Sequence, residues 1–164
     1  MKSVALIVAI ASFGISAAAL AATPKSEVAA TIKQVIDTFN KGDMKALAAM
    51  MSPDGMAIID EIPPHVWTGR NAFDTWNKAL GAYEQANGIT DDLITAGKPT
   101  RVVVADDRAY AVQAVTYSFK QKGVAMQETS RMVYSLQNGK TGWLVTGFAW
   151  DGGAPKPVAD VAKK

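Results

Sequence analysis

The chain has 164 residues, 49% hydrophobic and 20% charged, with a formal charge of +2. That is an ordinary globular composition with enough apolar material for one cored domain, and its scattered Lys and Arg leave no nucleic-acid footprint. It has no cysteine, which excludes disulfides, thiolate catalysis and cysteine-ligated metals.

Lys2 followed by an apolar run to Leu20 has the layout of a signal peptide. Ala19 and Ala21 fit the small-x-small rule, so residues 1–21 are expected to be cleaved, leaving a periplasmic or secreted protein of charge +1. With no cysteine after the run a lipoprotein is excluded, and no membrane contact is expected once the leader is gone. Residues 22–26 read as a linker, 27–151 as the domain and 152–164 as a flexible, Pro- and Gly-containing tail.

Ser26 is placed to cap a first helix whose Val28, Ile32, Val35, Ile36 and Phe39 share one face. Gly42 suits a left-handed helix end, and Asp43 caps a second, shorter helix carrying Met44, Leu47, Ala48 and Met51. Residues 56–60 read as a short buried strand, and residues 61–69, with Pro63 and Pro64, as an extended loop. Asn71 or Thr68 caps a third helix with an apolar stripe of Phe73, Trp76, Leu80 and Tyr83, ended at Asn87-Gly88. Residues 89–99 read as a loop with room for a strand at 93–96.

The last third is an antiparallel meander. Residues 101–105 lead in, and long strands at 108–119, 124–136 and 143–150 are joined by turns at 121–123 and at Asn138-Gly139, a pair suited to positive φ. Along residues 124–136, Glu128, Ser130, Met132, Tyr134 and Leu136 share one face and Arg131 lies on the other, toward solvent or a partner subunit. Helices before a meander make an α+β fold.

Phe39, Gly42, Asp43, Ala46 and Leu47 follow an F-x-x-G-D-x-x-A-L pattern; Gly69, Ala72 and Phe73 follow it in order, then Gly139, Trp143 and Val145. In this the chain resembles the nuclear transport factor 2-like superfamily, with its SnoaL-like and ketosteroid isomerase-like domains, over residues 27–150. The resemblance implies a cystatin-like α+β cone: a curved antiparallel sheet wrapped around three N-terminal helices, with a pocket at the open end and often a homodimer through the sheet. It implies no single chemistry, since the superfamily holds isomerases, cyclases, dehydratases and binding domains.

Asp60 ends the first strand near the place of the superfamily's general-base aspartate, and reads either as that base or as a solvated strand-end carboxylate. His65, the only histidine, is either an assisting base beside Asp60 or an exposed loop residue. One histidine does not suggest a metal site, and no cofactor is called for. The isomerases' enolate-holding tyrosine falls on Val35, which donates no hydrogen bond and so argues against steroid isomerisation. Trp67 and Trp150 are candidates for a ligand-facing rim, with Trp76, Tyr83 and Tyr117 as further wall residues; all four tryptophans read alternatively as core, which is the better reading for Trp76 and Trp143. The preferred reading is a pocket for a small apolar molecule or an accessory role, the alternative a proton-transfer enzyme with Asp60 as base, and a third a structural dimer.

Overall fold

A computed structural model describes residues 22–161, the last two by backbone alone. The expected leader, residues 1–21, lies outside the described residues. Helix α1 (Pro24–Asn40) starts one turn earlier than expected. Pro24 takes a position where its missing N–H costs nothing, and Thr23, not Ser26, is the cap: its Oγ1 accepts from Ser26 N at 3.3 Å. Gly42 adopts φ 67, and Asp43 caps α2 (Met44–Ala48) by accepting from Ala46 N at 2.9 Å.

Strand β1 (Met56–Ile59) then pairs antiparallel with β2 (Val66–Gly69). This corrects the extended loop expected there: Asp60 N donates to His65 O at 3.0 Å and His65 N to Ile62 O at 2.8 Å, closing residues 60–65 into a hairpin turn. Helix α3 (Ala72–Asn87) follows Asn71, which caps it without a side-chain hydrogen bond, and ends at left-handed Gly88.

The expected loop at residues 89–99 is mostly strand: β3 (Ile89–Ala96) pairs with the far half of β5 (Arg108–Gln121), and β4 (Arg101–Ala105) with its near half. Strands β6 (Val124–Gly139) and β7 (Gly142–Gly152) complete the meander. Lys122 and Gly123 take φ 50 and 84 in the β5–β6 turn. The β6–β7 turn sits later than expected. Asn138 and Gly139 are still paired, with Trp143 and Gly142, and the positive φ of 105 falls on Gly142.

The sheet order is β2-β1-β7-β6-β5-β3, with β4 also on β5. It is mixed rather than wholly antiparallel, because β1 runs parallel to β7. That contact is close: a Cβ on Gly147 would lie 2.8 Å from Ala57 O. Beyond β7 the chain is not the free tail expected. Strand β8 (Lys156–Pro157) pairs with Met126 and Gln127 of β6, and a turn of helix, α4 (Val158–Val161), follows.

The sheet curves over α1, whose Val28, Ile32, Val35 and Ile36 are buried against Ile58, Ala111, Leu136 and Val145. Each such side chain contributes about 1.5–3 kcal/mol by leaving water. One irregularity matters for the site. Leu136 pairs with Val145 but Ser135 with Gly147, so Thr146 is an extra residue. Trp143 and Val145 face the core before this bulge, and Phe148 and Trp150 face inward after it.

Candidate functional site

The open end of the curved sheet holds a cavity of about 120 Å³ between α1, α3 and the inner faces of β3, β5, β6 and β7. Its walls are apolar and rich in rings. Trp76 meets Phe148 edge-on at 5.1 Å, and Tyr117 meets Trp150 edge-on at 5.9 Å. Ile94 enters the wall from β3 because Asn40, at the end of α1, holds that strand: its Nδ2 donates to Ile94 O and its Oδ1 accepts from Ile94 N, both at 2.8 Å.

The sequence candidates divide. Asp60, Trp76, Tyr83, Tyr117 and Trp150 all line the cavity. Trp67 and His65 do not. Trp67 is a rim candidate that turns out to be core, 7% exposed, because β2 forms and pairs it with Ile58. His65 is exposed at the hairpin turn, and its Nδ1 lies 3.4 Å from the main-chain oxygen of Asp60, not from the carboxylate. The His65–Asp60 acid–base pair is therefore not assembled.

Asp60 is half-buried and held by two hydrogen bonds. Its Oδ2 accepts from Trp76 Nε1 at 2.9 Å and its Oδ1 from Ile62 N at 3.2 Å. A second carboxylate, not singled out from the sequence, repeats the arrangement. Glu128 is 2% exposed, and its Oε1 accepts from Ser130 Oγ at 2.6 Å and Trp150 Nε1 at 3.1 Å. Strand alternation already puts Glu128 on the face of Met132 and Tyr134; what it does not show is that Trp150 comes opposite. Gly152 makes that possible, since a Cβ there would collide with both Glu128 Oε1 and Trp150 Nε1.

Two more carboxyls complete the lining. Glu61 is pushed up to about 7, chiefly by partial burial and then by the charges of Glu128 and Asp60. Glu84 is likewise pushed up to about 7 by burial and by Asp92. Burial also raises the Tyr117 and Tyr134 hydroxyls, so both stay protonated at neutral pH. Tyr134 spends its proton on Met132 Sδ at 3.0 Å. Arg131 points away, as its strand position predicts, and pairs with Asp151 on the outer face.

Among the described residues no group of acidic or imidazole side chains has metal-site geometry, and no helix is long and apolar enough to cross a membrane.

The sequence profile of the SnoaL-like domain family matches residues 28–146. No curated protein matches the chain. Solved structures share the fold at low identity. A ketosteroid isomerase-like protein from Erwinia carotovora atroseptica is 18% identical, with TM-score 0.63 over 80% of this chain and 97% of its own. A candidate scytalone dehydratase from Novosphingobium aromaticivorans is 10% identical, with TM-score 0.65 over 80% and 85%. A protein from the same organism, described as having a cystatin-like fold, is 18% identical, with TM-score 0.60 over 77% and 80%.

Proposed function

We propose, from the premise that this chain belongs to the SnoaL-like domain family, that it binds a small, largely apolar molecule in the cavity of its curved sheet. The observation that carries this reading is the wall itself: rings from α3, β5 and β7 surround the space, with carboxylates held in fixed positions by indole N–H groups. A pocket of this kind orients an apolar ligand through a few polar contacts.

The proton-transfer alternative, with Asp60 as general base, is less well supported. Both Asp60 oxygens already accept hydrogen bonds, from Ile62 N and Trp76 Nε1, so a substrate proton has to compete with one of these partners. An enolate oxygen would also need a donor. Val35 has none and the nearby indole N–H groups are engaged with Asp60 and Glu128, which leaves the hydroxyls of Tyr83 and Tyr117 as donors in the wall. One observation favours a different acid–base group: Glu61 lines the cavity and titrates near neutrality.

Export to the periplasm or medium belongs to the same proposal, supported by Lys2 and the apolar run that follows it. So does a homodimer through the sheet, for which the outer-face row Val112, Val133 and Ala149, paired across three strands, offers an apolar strip.

Trp76 and Trp150 make the binding test direct. Saturable quenching or shifting of tryptophan fluorescence by neutral benzene-sized compounds is expected, and filling the space with Ile94→Trp should abolish the compounds' binding in calorimetry. No saturable binding of any such compound by the folded protein would overturn the proposal.

A further inference from the structure

We infer that the cavity selects an organic cation, a small aryl or alkyl ammonium, over neutral and anionic molecules of the same size. This deepens the binding reading above and rests on it. The first ground is charge. Asp60, Glu61, Glu84 and Glu128 line the cavity, and no Lys, Arg or His does among the described residues. An anion entering there meets only like charge at short range, in surroundings that screen it less than water does.

The second ground is an unfinished valence. Glu128 is 2% exposed, and both of its hydrogen bonds fall on Oε1. Its Oε2 accepts none from any described residue and has no salt-bridge partner. A largely buried carboxylate with one oxygen free of protein donors and still reachable is best completed by a donor, most strongly a cationic one. Glu128 lines the cavity, so a ligand inside can supply that donor.

The third ground is the wall chemistry. Trp76 and Phe148, and Tyr117 and Trp150, stand edge to face. Ring faces attract a cation where ring edges repel it, and desolvated aromatic pockets recognise ammonium groups for this reason. The Trp76 and Trp150 N–H edges are turned onto Asp60 and Glu128, so the positive rims of these rings are already neutralised.

Glu61 supplies a reporter. It is pushed up to about 7 by burial and by Glu128 and Asp60. An incoming cation cancels part of that repulsion and lowers it, so binding at pH 7 should release a fraction of a proton; a neutral ligand should not.

The test is calorimetry on the purified protein with three probes of one size: benzylammonium, benzyl alcohol and benzoate. Benzylammonium should bind about tenfold or more tighter than benzyl alcohol, benzoate should bind weakest, and only benzylammonium heats should vary with the buffer's ionisation enthalpy in the sense of proton release. Glu128→Gln should weaken benzylammonium much more than benzyl alcohol and so remove most of the preference. Glu61→Gln should reduce the proton release to the share that Glu84 supplies, and should weaken the preference less than Glu128→Gln does. Equal or tighter binding of benzyl alcohol or benzoate overturns the cation inference and leaves the binding reading standing. Failure of all three to bind the folded protein overturns both.

Discussion

The indole of Trp76 on α3 donates to the carboxylate of Asp60 at the end of β1, 2.9 Å away, and so ties a helix to the sheet at the mouth of the cavity. Trp150 does the same for Glu128, and Trp143 reaches Glu27 at 3.4 Å. Three of the four tryptophans thus serve as hydrogen-bond donors to acids as well as apolar filler. Trp76→Phe should lower stability by at least about 2 kcal/mol, since a hydrogen bond to a charged group contributes about 1.5–3 and some packing is lost besides. Asp60→Asn should also destabilise, because its single amide oxygen can accept from only one of Trp76 Nε1 and Ile62 N and its NH2 then faces the other donor. Urea denaturation of the two variants measures both losses.

Gly152→Ala should break the second of these pairs. The added methyl has nowhere to go but into Glu128 Oε1 and Trp150 Nε1. Overpacking of this kind costs about 1–3 kcal/mol. The indole should swing away from Glu128, giving a red-shifted tryptophan emission. An unchanged spectrum and melting temperature would show that Glu128 and Trp150 are not locked together.

Stability should depend on pH through Glu61 and Glu84. Both carboxyls go from an ordinary 4.5 to about 7 in the folded chain, so the folded state holds their protons more tightly than the unfolded state does. Their contribution therefore favours folding in acid and is withdrawn as pH rises from about 4.5 to about 7. A Glu61→Gln, Glu84→Gln double variant should lose less melting temperature than the parent between pH 5 and pH 8. Calorimetric melts across that interval read the difference, and parallel curves would refute it.

Asn40→Ala should destabilise the chain more than an ordinary helix-end substitution. It leaves both the N–H and the C=O of Ile94 without their partner beside a bulged stretch of β3, where the register with β5 shifts between Thr90 and Leu93. A loss of about 2 kcal/mol or more is expected, together with faster hydrogen exchange at Ile94. Asn40→Asp keeps the acceptor and should recover part of it.

Much of the molecule is legible in the sequence where one local signal suffices. The stripe of α1, the Gly42–Asp43 join, the Gly88 stop and the alternation of β6 each depend on residues within one turn or one strand. The misreadings share a different cause. Strand β2 hides behind Pro63 and Pro64, and β3 carries Asp91 and Asp92 in mid-strand, so neither shows the apolar alternation that marks a strand. Trp67 and Trp150 look alike in the sequence, and only the β1–β2 pairing buries the first while the bulge at Thr146 turns the second into the cavity. Glu128 was visible on the inner face, but its role depends on Trp150, Gly152 and Ser130 meeting it from one neighbouring strand and from its own.

The bulge at Thr146 also bears on how such a domain changes over generations. It splits β7 into two commitments: residues 143–145 answer to the interior, and residues 148–150 to the cavity wall as well. A substitution at Phe148 or Trp150 reshapes that wall while Trp143 and Val145 hold the strand to the core. On the binding role proposed above, descendants of this strand would change what the cavity accepts by small steps in its second half.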